Sequence, residues 1–141
     1  MSRSTSLNTG VPARDIQYGV VQGITRTVAY NTPGIDTADT VTLGTLPSGA
    51  QILNCTVRVK TAFNAATTNV LTVGTASGSN ADIVSSADVA EGTTGAYVAD
   101  RGADVSITAD TQVYVKYTQT GTAATAGEAV ITLTYLATSN G

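Results

Sequence analysis

The sequence predicts an all-β protein, an antiparallel β-sandwich of jelly-roll type carrying an extended N-terminal arm, and three observations lead there. Thr40–Leu46 and Ala50–Phe63 alternate apolar and polar residues with period two on either side of Leu46-Pro47-Ser48-Gly49, as half-buried strands around a tight connection do. Eight or so runs of this kind recur at roughly ten-residue spacing with Gly, Pro and Asn between them. Nowhere does a comparably long run follow helical spacing.

Residues 1–23 read as the arm and a first short strand, and 24–141 as the sandwich domain. Met1 to about Ala13 is small and polar with too little apolar surface to order itself, so it is expected to be mobile until a neighbour holds it. Ile16–Val21 is a short strand candidate and Ile24–Tyr30 a stronger one, closed by Asn31-Thr32-Pro33-Gly34, in which Pro presets φ and Gly supplies positive φ. In the run through Phe63, Cys55, Val57, Val59 and Phe63 point to a core, and Thr56, Arg58 and Lys60 point away. Asn64–Thr68 has the length of a hairpin loop before Asn69–Thr75. Between Ala76 and Arg101 the pattern fades into loop, a helical turn at Ser86–Glu91 and an edge strand at Ala96–Ala99. Strands resume at Asp104–Thr108, Gln112–Thr118 and Glu128–Leu136.

Composition narrows the function. Of 141 residues 42% are hydrophobic and only 12% charged, so Thr, Ser, Asn and Gln supply the surface polarity. Desolvating a hydroxyl costs far less than desolvating an ion, and such a surface suits packing against other protein. A net charge of -3 favours neither a nucleic-acid nor an anionic-membrane partner, and no apolar run approaches the ~18 residues of a membrane span. A soluble chain without a secretion signal is expected.

Histidine is absent, which removes His-based general bases, Ser-His-Asp and Cys-His arrangements and nearly all ordinary zinc sites. The single cysteine, Cys55, falls in a strand at a core position, where the inert small-residue reading outweighs a nucleophile. Asn54-Cys55-Thr56 matches a glycosylation sequon by chance within a strand. Asp82, Asp88, Glu91, Asp100, Asp104 and Asp110 could offer oxygen ligands to Ca²⁺, but their spacing matches no known loop, and turn aspartates are the simpler reading. Asp88 and Glu91 as glycosidase carboxylates lack any sign of a cleft between them. No catalytic residue, metal or cofactor is expected, and the chain is read as a non-enzyme.

The order of Leu46-Pro47-Ser48-Gly49-Ala50, Ala62-Phe63-Asn64, Leu71-Thr72-Val73-Gly74-Thr75 and the closing strand Ala129–Tyr135 resembles small β-sandwich structural proteins of tailed bacteriophages, most of all the capsid decoration (cement) class. The similarity spans residues 40–136 and rests on scaffold motifs. It implies a homotrimeric knob that sits at threefold or quasi-threefold positions on the outer capsid surface, is made in the host cytoplasm, and clamps the major capsid protein of the same virus. The alternative is a head- or tail-fibre module for host polysaccharide, which the absence of Trp weakens.

Partner-binding candidates follow from exposure and charge. Arg3 and Arg14 on the arm can pair with acidic groups. Arg58 and Lys60 point outward from their strand, and Tyr114 and Lys116 lie opposite Val113, Val115 and Tyr117 in theirs. Most basic charge precedes residue 61 and most acidic charge follows residue 80, an asymmetry able to orient subunits.

Overall fold

The computed structural model describes residues 21–35, 40–77 and 81–137. Arg3, Arg14, Tyr18, the leading arm and all but the last residue of the Ile16–Val21 candidate lie outside the described residues. The described residues form seven strands: β1 (Val21–Ala29), β2 (Val41–Leu46), β3 (Gln51–Thr61), β4 (Thr68–Gly74), β5 (Gly95–Ala99), β6 (Thr111–Thr120) and β7 (Glu128–Leu136). Val21, Gln22 and Gly23, which the sequence groups with the leading segment, belong to β1.

Odd-numbered strands form one sheet, ordered β1-β7-β3-β5, and even-numbered strands the other, β2-β6-β4. Every described pairing is antiparallel. Val84 adds a bridge to Val73 on the outer side of β4. With that bridge counted as a rudimentary strand, eight strand positions form two four-membered layers, the jelly-roll arrangement.

The alternating residues dictate the packing between layers. Ile52, Cys55, Val57 and Val59 of β3 and Ala129, Ile131, Leu133 and Tyr135 of β7 meet Leu71 and Val73 of β4 and Val113, Val115 and Tyr117 of β6, all buried. Burial of each Val, Ile or Leu contributes about 1.5–3 kcal/mol. Ile52 and Cys55 are three apart and still both inward, because the β3–β7 register shifts between Ile52 and Asn54.

Three sequence expectations need correction. Asn64–Thr68 joins β3 to β4, which lie in different sheets, so it is a crossover rather than a hairpin. Asn64 instead ties it to the β6–β7 loop, its Oδ1 accepting the N–H groups of Thr125 and Ala126. Ser86–Glu91 contains turns and no helix: Asp88 caps the Ser85 N–H with its carboxylate and donates its own N–H to the Ser85 carbonyl, closing a tight local loop. Among the described residues the one helical turn, of 3-10 type, falls at Arg101–Asp104. Asp104–Thr108 is no strand either. Ile107 is buried and its carbonyl accepts the Gly49 N–H at 2.7 Å, but among the described residues the segment has no ladder partner. The Asn31–Gly34 turn forms as expected, with Gly34 at φ 84° and Ile35 N–H bonded to the Thr32 carbonyl. Pro47–Ala50 is also a turn, Ala50 N–H reaching the Pro47 carbonyl and Gly49 taking φ 84°.

Candidate functional site

The sandwich presents two outer faces, and the sequence-predicted contact residues divide between them. On the four-stranded sheet, strand register aligns Thr25, Thr132, Thr56 and Val98 in one row and Thr27, Val130, Arg58 and Ala96 in the next. The hydroxyls of Thr25 and Thr132 are hydrogen-bonded at 3.1 Å. Arg58 is the charge within these rows, and Lys60 sits toward the strand end, 3.9 Å from Glu128. An ion pair this long and this exposed contributes little.

The opposite face, on the three-stranded sheet, carries Tyr114 and Lys116 of β6, flanked by Thr42 of β2 and Thr72 of β4. Both alternate with the buried Val113, Val115 and Tyr117, so both side chains leave the core. The Tyr114 hydroxyl donates to Gln112 Oε1 at 2.9 Å. Arg58 and Lys60 are therefore not brought together with Tyr114 and Lys116; the thickness of the sandwich separates the pairs.

Aromatic residues are mostly spent inside. Tyr117 packs its ring on Phe63 at 4.8 Å between centroids and donates its hydroxyl to Asn69 Oδ1 at 2.6 Å. Tyr135 is buried with its hydroxyl against Gln22, and Tyr97 bonds the Thr93 carbonyl. Among the described strand residues Tyr114 is the aromatic that faces outward, so the strands build no stacked platform for sugar rings.

The acidic residues hold loops. Asp82 accepts the N–H and hydroxyl of Thr75 at 2.9 and 2.6 Å. Asp110 accepts the Ser48 N–H at 3.0 Å. Asp88 takes both Nε and Nη2 of Arg101, at 2.7 and 3.0 Å, and this guanidinium holds its carboxyl down at about 2. Glu91 is 5% exposed, and burial pushes its carboxyl above the ordinary range. Among the described residues no three His, Cys, Asp or Glu side chains gather in a metal-binding group. Cys55 is fully buried, and burial pushes its thiol up to about 12, which removes thiolate at neutral pH. The role of Glu91 in the β4 edge escaped sequence reasoning, since its partner is 20 residues away and no local spacing marks it.

Fold and surface together define a small antiparallel jelly-roll sandwich whose outer faces are dominated by hydroxyl and small apolar side chains. No family model and no curated protein matches the sequence. Among solved structures, a chain of the "Cyanophage Pam1 capsid asymmetric unit" is similar at 29% identity, with a TM-score of 0.67 over 96% of this chain and 97% of that one.

Proposed function

We propose that this chain is a virion structural protein of a tailed bacteriophage that decorates the outer capsid surface as a homotrimer and stabilises the head by binding rather than by chemistry. The carrying observation is the end-to-end likeness to a chain of a cyanophage capsid asymmetric unit, at 29% identity. The surface supports the same reading. Two outer faces rich in threonine and poor in charge can be desolvated cheaply, one against a neighbouring copy and the other against the shell.

In this reading each trimer engages several subunits of the major capsid protein, and many modest contacts resist internal pressure through multivalency. The arm, with Arg3 and Arg14, becomes ordered on a neighbour or the shell. Arg58, Lys60, Tyr114 and Lys116 supply contacts on the sandwich itself.

Bare capsids incubated with the purified chain and pelleted should saturate at a fixed stoichiometry, and light scattering should give three chains per particle for the free protein. A stable monomer that ignores capsids but binds cells or glycans would replace this reading with that of a fibre module.

A further inference from the structure

An exposed strand edge invites pairing with another strand unless something blunts it. Three of the four sheet edges are blunted. At β1, the Arg26 side chain reaches across to the Thr42 carbonyl at 2.6 Å, tying this edge to β2. Along β2 the register breaks between Thr42 and Gly44, an irregularity that spoils regular pairing. The edge of β4 is covered: Val73 exchanges backbone bonds with Ile83 and Val84, and Glu91 takes the Leu71 N–H.

The fourth edge is different. β5, Gly95-Ala96-Tyr97-Val98-Ala99, has no charge, no proline and an unbroken register with β3. It ends the sheet order, and among the described residues no backbone pairs with its other side. Val98, at 65%, is the most exposed large apolar residue described.

We infer that the β5 edge receives an extended strand from the N-terminal arm of a second copy, residues Ile16–Val20. This rests on reading the chain as an oligomeric capsid protein and says how copies join. The donor segment alternates Ile16, Tyr18 and Val20 with Gln17 and Gly19, as a strand covering Val98 requires. It precedes Val21, which already stands opposite Leu136, the last residue of β7. The donor is continuous with β1, whereas β5 of the same copy lies three strand spacings away, roughly 14 Å across the sheet. With consecutive Cα atoms about 3.8 Å apart, the segment cannot leave β1 and run along its own β5. The recipient is therefore another molecule. Joining the β1 side of one copy to the β5 side of the next is a heterologous contact, which closes into a ring when its rotation allows, and the proposed trimer would be such a ring.

Cysteine pairs test this in the full chain, since native Cys55 is buried. Val98→Cys is combined with Gln17→Cys in one variant and with Tyr18→Cys in another, placing the donor thiol on opposite faces of the added strand. Mild oxidation should link chains up to covalent trimers in one variant and not the other, with no link for Val98→Cys alone. Val98→Lys, at an exposed site, should keep the circular dichroism spectrum and weaken the trimer at least tenfold. Self-linking by Val98→Cys alone, linkage to capsid protein in place of a second copy, or an intact trimer with neither variant linked would overturn the inference. An intact trimer without links leaves the functional reading standing, whereas a monomer that binds no capsid sinks both.

Discussion

The Glu91 carboxylate accepts the Leu71 backbone N–H at 2.8 Å, doing with a side chain what a neighbouring strand does elsewhere in the sheet. The rudimentary strand beside β4 pairs only at Val73, so the Leu71 donor would otherwise be buried without a partner. Burial of this carboxylate is the cost of sealing the edge with a short segment.

Removal of the acceptor should therefore be expensive. Glu91→Ala leaves the Leu71 N–H unsatisfied and should lower stability by about 1–3 kcal/mol in chemical denaturation. Glu91→Gln keeps a carbonyl acceptor without the buried charge and should be as stable as the parent or more so at neutral pH.

The same residue sets a pH dependence. Burial is the largest influence on Glu91 and raises its folded pKa, while hydrogen bonds from Leu71 and from its own N–H oppose the rise. The folded state thus holds the proton more tightly than the unfolded state. The contribution is full below the unfolded value near 4.3 and is lost as pH rises through the higher folded value. Glu91→Gln should flatten the stability profile between about pH 4.3 and neutrality; an unchanged profile would show that Glu91 does not titrate there.

Asp88 acts in the opposite sense. Its carboxyl is lowered to about 2, first by the Arg101 hydrogen bonds, so its contribution is present above the unfolded value near 3.9 and disappears as pH falls toward 2. Arg101→Ala should remove this acid-side loss of stability, seen as a shallower fall in melting temperature between about pH 4 and 2. Because the pair is partly exposed that contribution is modest, and by linkage Arg101→Ala should cost the same modest amount at neutral pH.

The strands were legible because period-two alternation is local: β7 runs from Glu128 to Leu136 as the sequence predicts, and Arg58, Tyr114 and Lys116 leave the core as their alternation requires. Topology was not. From β1 to β7 each successive strand changes sheets, so the length of Asn64–Thr68 carries no information about pairing. For the same reason alternation could place Arg58 and Tyr114 outward without revealing that they occupy opposite faces. Glu91 looked like one turn carboxylate among several because its partner is distant in sequence. Asp104–Thr108 alternates like a strand because Ile107 is buried, yet its polar contacts go to the Ser48–Gly49 turn instead of a ladder.

Gly127 offers a packing test. It has φ 146°, a conformation L residues rarely adopt, and a Cβ there would fall within the ring of Phe63. Phe63 is 3% exposed and packed at a tilt of 46° against Tyr117, so any shift of its ring disturbs the core. Gly127→Ala should cost about 2–4 kcal/mol from overpacking and backbone strain combined. A melting temperature equal to that of the parent would mean the β6–β7 loop can shift away from Phe63.

Register on β3 separates folding from binding. Val57 is fully buried and Arg58 exposed. Val57→Asp places an unpaired charge in the core and should cost several kcal/mol, about 3–5, abolishing soluble expression. Arg58→Ala should leave folding within about 0.5 kcal/mol of the parent. The reverse pattern would move every β3 side chain to the other face.

Arg58 and Tyr114 are of the residue types that dominate interface energetics, and they stand on opposite sheets. If the four-stranded sheet, which carries β5, meets a second copy and the three-stranded sheet meets the shell, their truncations should register in different assays. Arg58→Ala should weaken self-association while an assembled trimer still binds capsids. Tyr114→Ala should leave the trimer intact by light scattering and lower capsid affinity tenfold or more, about 1.4 kcal/mol, in a pelleting titration. The circular dichroism of both variants should match the parent, because neither side chain enters the core. Loss of capsid binding in Arg58→Ala with no loss in Tyr114→Ala would assign the shell to the four-stranded sheet and the second copy to the other.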